Sequence, residues 1–167
     1  MKKTAIALTF GSLLIGTSAM AQTALSPYVN FGLNQRHTSN TDNVSLLGRF
    51  GADFNQYFGA EAEGTIGLTE DTIGGVKLKD RGSLGAYVVG HAPINENLTL
   101  LGRVGYQQVW AQAKTGTTKI ESDDGSFAVG VGGQYMLDDK NGIRADYTRY
   151  TENDGTDNFA VSYVRKF

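Results

Sequence analysis

Seven charged side chains stand at alternate positions within stretches that are otherwise apolar, small or glycine-rich: Arg49, Asp53, Glu61, Glu63, Arg103, Arg144 and Asp146. Glu61 and Glu63, two residues apart, have the types and spacing of a general acid/base pair. Carboxylates interleaved with arginines more often form ion pairs, and that is the reading here. If these groups share an interior they must pair, because an unpaired buried charge costs several kcal/mol. Other chemistry is sparse. The chain has two histidines, His37 and His91, and no cysteine, so no metal site is expected. Neither histidine belongs to a nucleophile motif, so no catalysis is expected. Glu121-Ser-Asp-Asp-Gly125 and Glu152-Asn-Asp-Gly-Thr-Asp157 are acidic but lack calcium-loop spacing and read as solvated turns. Gly130-Val-Gly-Gly133 lacks the third glycine of a dinucleotide fingerprint, and no cofactor is expected.

The elements that must position these charges alternate with period two, the signature of a strand with one apolar face. Eight strands are predicted, over about 27–36, 44–54, 58–68, 82–91, 98–110, 126–136, 143–151 and 158–167. In the second, Leu46, Phe50 and Phe54 share a face opposite Arg49, Gly51 and Asp53. In the sixth, Phe127, Val129, Val131 and Tyr135 oppose Ser126, Ala128, Gly130, Gly132 and Gln134. The connections 55–57, 93–97 and 138–142 are short. His37–Asn43, Thr69–Arg81, Ala111–Gly125 and Glu152–Asp157 are read as polar loops, the middle two long. Abundant glycine and only two prolines fit many strands joined by tight turns. Cross-strand neighbours must share a face. Pairing Phe54 with Phe58 sets Arg49 opposite Glu63; pairing Met136 with Arg144 sets Gln134 opposite Asp146; pairing Ala92 with Leu98 sets Tyr87 opposite Arg103.

Residues 1–21 read as a cleaved signal peptide: Met1-Lys-Lys3 is basic, an apolar run follows, and Ala19-Met-Ala21 fits the cleavage pattern. Residues 22–167 then form a single domain. The 15 basic side chains less Lys2 and Lys3 leave 13 against 17 acidic, so no nucleic-acid partner is expected.

The last strand ends on an aromatic. Phe159, Val161 and Tyr163 alternate with small or polar residues and the chain stops at Phe167. This stretch resembles the C-terminal signature of bacterial outer-membrane barrels, with Arg165 standing where an apolar residue is usual. Together with Phe58-Gly-Ala-Glu-Ala-Glu63 and Arg144-Ala-Asp-Tyr-Thr-Arg149, it makes residues 26–167 similar to the small eight-stranded barrels of the outer membrane protein beta-barrel domain family, which includes the OmpA transmembrane domain, OmpX and the opacity proteins. The resemblance implies an all-β, eight-stranded antiparallel up-and-down transmembrane barrel in the outer membrane of a Gram-negative bacterium. It further implies contact with outer-membrane lipid and lipopolysaccharide. Phe159, Val161, Tyr163 and Phe167 would be read by the barrel-assembly machinery, after escort by periplasmic chaperones. A monomer is expected. Alternation alone leaves open which face looks outward; the leader, the terminal Phe and the aromatic apolar face favour a polar, packed interior. Phe54, Phe58, Tyr135, Tyr163 and Phe167 then fall near the periplasmic ends and Tyr106 and Trp110 near an external end, where aromatic girdles sit. The role expected is structural or surface-interacting and non-catalytic, with the interior plugged by the charged residues. A narrow passive channel and an adhesin acting through its external loops are the alternatives.

Overall fold

The structure is a computed structural model of the chain. It describes residues 25–38, 41–68, 70–73, 76–115, 118–151 and 156–167; the expected leader lies outside them. Among the described residues nine strands are formed: β1 (Ser26–Thr38), β2 (Thr41–Asp53), β3 (Phe58–Gly67), β4 (Glu70–Ile73), β5 (Val76–Pro93), β6 (Leu98–Thr115), β7 (Thr118–Met136), β8 (Asn141–Tyr150) and β9 (Asp157–Lys166). All pairings are antiparallel, and the sheet runs β3-β2-β1-β9-β8-β7-β6-β5 before β3–β5 pairing closes it. β4 prolongs the line of β3, so the nine strands make an eight-staved barrel. Where β5 changes partner from β3 to β4, its pairing with β6 is irregular between Asp80 and Gly82. Gly82 has φ +136°, and a Cβ there would stand 2.3 Å from the carbonyl oxygen of Thr65. Only glycine accommodates that bend at low cost.

The two long segments read as loops are strands. Thr69–Arg81 contains β4 and the beginning of β5, and Ala111–Gly125 contains the end of β6 and the beginning of β7. Paired backbones satisfy their own hydrogen bonds. A hairpin standing clear of the membrane needs no apolar face, so the alternation that marks a strand fades although the strand continues. His37 likewise lies within β1, opposite Asp42 and Asp157, rather than in a loop.

The three short turns share one construction. The side-chain oxygen of Asn55 accepts the N–H groups of Tyr57 and Phe58 at 2.7 and 2.9 Å. Asn95 does the same for Asn97 and Leu98, and Asp138 for Lys140 and Asn141. The Asn141 side chain, together with these backbone donors, holds the Asp138 carboxyl below its ordinary range. Each turn is bracketed by an N–H to carbonyl bond: Phe54 to Phe58, Ile94 to Leu98 and Leu137 to Asn141. This common geometry leaves the Arg49–Glu63 pairing where the turn 55–57 puts it and displaces the other two expected registers by two residues. Tyr87 faces Gly105, not Arg103; Gln134 faces Arg144, not Asp146. A shift of two preserves which face each side chain occupies. Each turn also accepts a bond from a neighbouring strand, with Tyr57, Asn97 and Lys140 carbonyls receiving His91, Met136 and Lys166 N–H groups. The Phe167 N–H reaches the Pro27 carbonyl at 3.1 Å and completes the rim.

The apolar face is outside. Phe31, Phe50, Ile66, Leu84, Phe127, Val131 and Phe159 are each more than half exposed, whereas their strand neighbours Asn30, Arg49, Thr65, Ser83, Ser126 and Asn158 are buried. A soluble barrel reverses this arrangement. The outward face is a continuous apolar band far larger than a soluble monomer exposes, and it fits a lipid environment.

Candidate functional site: a charge cluster across the lumen

Arg49 from β2, Glu61 and Glu63 from β3, Arg103 from β6, and Arg144 and Asp146 from β8 point into the barrel. Period-two alternation puts both members of each same-strand pair on one face. The six side chains join as a chain. Arg103 donates through Nη2 to Glu63 Oε2 at 2.7 Å, and Arg49 donates through Nε to the same oxygen at 2.7 Å. Arg49 Nη1 donates to Asp146 Oδ2 at 2.6 Å, and Arg144 Nε donates to Asp146 Oδ1 at 2.7 Å. The two Arg144 Nη groups grip the Glu61 carboxylate. None of these six side chains is more than 2 % exposed. Three guanidiniums meet three carboxylates, so the cluster is formally neutral. That balance is what lets it stay buried, because desolvation of an ion is repaid only by well-aligned partners.

Two tyrosines complete the cluster, Tyr87, which the expected register sets opposite Arg103, and Tyr28, which does not stand out in the sequence. Tyr28 donates to Glu61 Oε1 at 2.7 Å, and the Arg103 guanidinium lies 3.6 Å from the Tyr87 ring centroid. Tyr28 shares the inward phase of β1 with Asn30 and Asn34, which is the signal that finds it. Glycines make the room. A Cβ at Gly130 would stand 2.9 Å from Arg103 Cγ, and one at Gly132 would stand 2.8 Å from Asp146 Oδ1. Asp53 is not joined to the cluster. It is half-buried at the turn end, 3.2 Å from His91 Nε2 and 3.9 Å from Lys166 Nζ. The step from Gly51 to Asp53 carries it along β2 to the rim. Glu61 pairs with Arg144 across the lumen. The lumen is not uniformly polar either, since Tyr87, Val89, Leu101, Ala128 and Tyr150 form a buried apolar group.

The seven aromatics read as girdle residues all point outward. Phe54 and Phe58 bracket the first turn, and Tyr163 bonds to Asn141 of the third. Tyr106 packs edge-on against Phe127, with centroids 5.4 Å apart and planes at 76°. Trp110 lies on β6 before its end at Thr115, so the β6–β7 hairpin continues beyond it. In the last strand Phe159, Val161, Tyr163 and Phe167 point outward, while Ala160, Ser162 and Val164 are buried. Arg165 bends to donate to Asn141 Oδ1 at 2.6 Å, an example of a long cationic side chain reaching polar groups at the rim.

A closed antiparallel barrel with a charged lumen and an apolar exterior defines a class of membrane protein. The sequence matches the family described as "Outer membrane protein beta-barrel domain" over residues 6–167. The chain belongs to this family and is a protein of the bacterial outer membrane. No curated protein sequence matches it. Among solved structures it is similar to Ail, the attachment invasion locus protein of Yersinia pestis. The identity is 16% and the TM-score 0.66, covering 86% of this chain and 99% of that one. It is also similar to OprG from Pseudomonas aeruginosa, at 11% identity and TM-score 0.63 over 87% and 97% of the two chains. Neisserial surface protein A aligns at 15% identity and TM-score 0.54, over 86% and 97%. At these identities the likeness shows the shared fold.

Proposed function

We propose that the protein is a non-catalytic, structural and surface-presenting barrel whose lumen is closed by its own charge cluster. The observation that carries this reading is the neutral chain of three arginines and three carboxylates joining β2, β3, β6 and β8 across the interior. A water-filled pore needs wall charges free to meet ions; here each of the six bonds an oppositely charged member of the cluster, Arg103 through Nη2 alone. Planar-bilayer recording tests it: the folded barrel is expected to carry no steady current, and large sustained conductance would instead support the passive-channel reading.

A surface-interaction role is favoured by the unequal strands. β5, β6 and β7 have 18, 18 and 19 residues against 10 in β8 and β9, so their hairpins extend beyond the neighbouring staves. We place the turn end, which also carries Ser26 and Phe167, in the periplasm and the long hairpins outside. Ail forms a complex with the heparin analogue sucrose octasulfate, so a barrel of this fold can bind a ligand. We further propose that residues 1–21 are removed on export and that the outward residues of β9, ending at Phe167, are read during assembly. Phe167→Ala is expected to reduce insertion and leave precursor in the periplasm, measured by fractionation and heat-modifiable gel migration; unchanged outer-membrane levels would remove the assembly role.

A further inference from the structure

Three lysines fall into one row across the tall hairpins. Lys77 of β5 is directly opposite Lys114 of β6, and Lys114 is directly opposite Lys119 of β7. Cross-strand partners share a face, and like charges directly opposite each other destabilise a sheet. The face is the outer one: period two along β6 puts Gln112 and Lys114 on the side of Trp110, which is outward and exposed. One row nearer the membrane, the same face carries Glu70, Lys79, Gln112 and Glu121, and the row below that sets Asp123 opposite Trp110. Lys79 therefore has an acidic residue directly opposite, Glu70, whereas among the described pairings none is directly opposite Lys77, Lys114 or Lys119. Over the two outer rows, four lysines less two glutamates leave an excess of two positive charges, in a chain with 17 acidic against 15 basic side chains. The sheet's own pairing gains nothing from the lysine row; an external anion turns its repulsion into attraction.

We propose that this row binds a soluble acidic polysaccharide laid across the three strands. The proposal rests on the surface-presenting role given above and names its ligand. Adjacent strands are ~4.8 Å apart, so the three lysines span ~10 Å, enough to meet several charges of one polyanion. Lysine suits such a chain, because it is a flexible point charge that needs no fixed, bidentate partner. Height decides between a free polymer and a lipid headgroup. Lys114 lies four residues beyond Trp110, ~14 Å along the strand and ~10 Å along the membrane normal at a tilt of ~40°. Trp110 marks the membrane interface, and the headgroup layer beyond the hydrocarbon edge is only ~5–7 Å deep. Asp123 opposite Trp110 also opposes lipid phosphates at that level. Single-stranded nucleic acid fits less well, because neither outer row holds an aromatic on which bases stack.

The test uses the full barrel in phosphatidylcholine nanodiscs, with both ends open to solvent, and dextran sulfate as the probe, read by biolayer interferometry. Uncharged dextran is expected not to bind. Lys114→Gln is expected to weaken dextran sulfate binding ~5-fold, the upper end for an exposed ion pair. The triple variant carrying Lys77→Gln, Lys114→Gln and Lys119→Gln is expected to weaken it ~100-fold. Lys140→Gln makes the same charge change at the turn end and is expected to leave binding unchanged. Urea unfolding without the probe is the control for folding: relieved of repulsion, Lys114→Gln is expected to be at least as stable as the parent. Binding that survives the triple variant overturns the proposal, as does equal weakening by Lys140→Gln, since net charge and not the row would then be read. Single-stranded DNA bound as tightly and through the same lysines overturns it, and so does loss of the probe's site when lipopolysaccharide is added to the disc. The placement of the hairpins is tested separately. The chain has no cysteine, so Lys114→Cys in intact cells reports its side of the membrane through a membrane-impermeant maleimide. Labelling without dextran sulfate binding overturns the polysaccharide and leaves the surface-presenting role standing; absence of labelling overturns that role and the proposal with it.

Discussion

Arg144→Met is expected to destabilise the lipid-embedded barrel by ~3–5 kcal/mol, the cost of leaving buried charges unpaired. Arg144 is 1 % exposed and, among the described residues, links Glu61 to Asp146. Without it, among the described residues, Glu61 keeps the Tyr28 hydroxyl alone, while Asp146 retains Arg49. The surviving cluster has two guanidiniums against three carboxylates and carries a net negative charge in a site closed to water. The double variant Arg144→Met/Glu61→Gln restores the balance and is expected to lose less than Arg144→Met alone. Urea unfolding in lipid vesicles, arranged as a double-mutant cycle, measures the difference. Strict additivity would show that the two side chains do not act as a pair, and the closed-lumen reading would lose its energetic basis.

Val131→Arg is expected to cost ~2–4 kcal/mol in a bilayer, the penalty for a cation on the lipid face near the midplane. Val131 is 63 % exposed, with Gly102 and Tyr147 as its cross-strand neighbours. Gly102 offers no side chain to shelter the guanidinium, and Val131 lies five residues from the turn end of β7 at Met136, ~13 Å along the membrane normal at a tilt of ~40° and so near the midplane. Glutamine at the same site measures the loss of apolar contact without the charge. Vesicle unfolding reads the cost, and an arginine as harmless as alanine would indicate that this face does not meet lipid.

Most of the architecture is legible because the membrane imposes a severe rule on sequence. Lipid on one side and packed charge on the other force Leu46, Phe50, Val129 and Val131 to alternate with Arg49, Ser126 and Gly130, and the strand count follows. Where that constraint ends, legibility ends with it, as in β4 and the outer parts of β5, β6 and β7. The registers are a different matter. Facing is conserved under a shift of two, so facing alone could not distinguish Gln134 opposite Arg144 from Gln134 opposite Asp146. The missing information was local: Asn55, Asn95 and Asp138 each precede a strand by three residues and cap the same turn. The cluster's membership was visible as inward-phase charges, but not its wiring, because long arginines reach across the lumen to partners many residues away.

The bond between Phe167 and Pro27 places the two ends of the folded domain side by side. Every other adjacency in the barrel joins consecutive staves, so β1–β9 is the one junction the chain does not supply through a hairpin. Joining those ends by a short linker and opening the chain at a hairpin elsewhere would leave every pairing in place, a circular permutation in which a different junction becomes the last to close. Loop-closure entropy grows by only ~0.6 kcal/mol per doubling of length. The equilibrium cost of moving the nick would therefore be small, while the order in which strands find one another, and hence the route of assembly, would change.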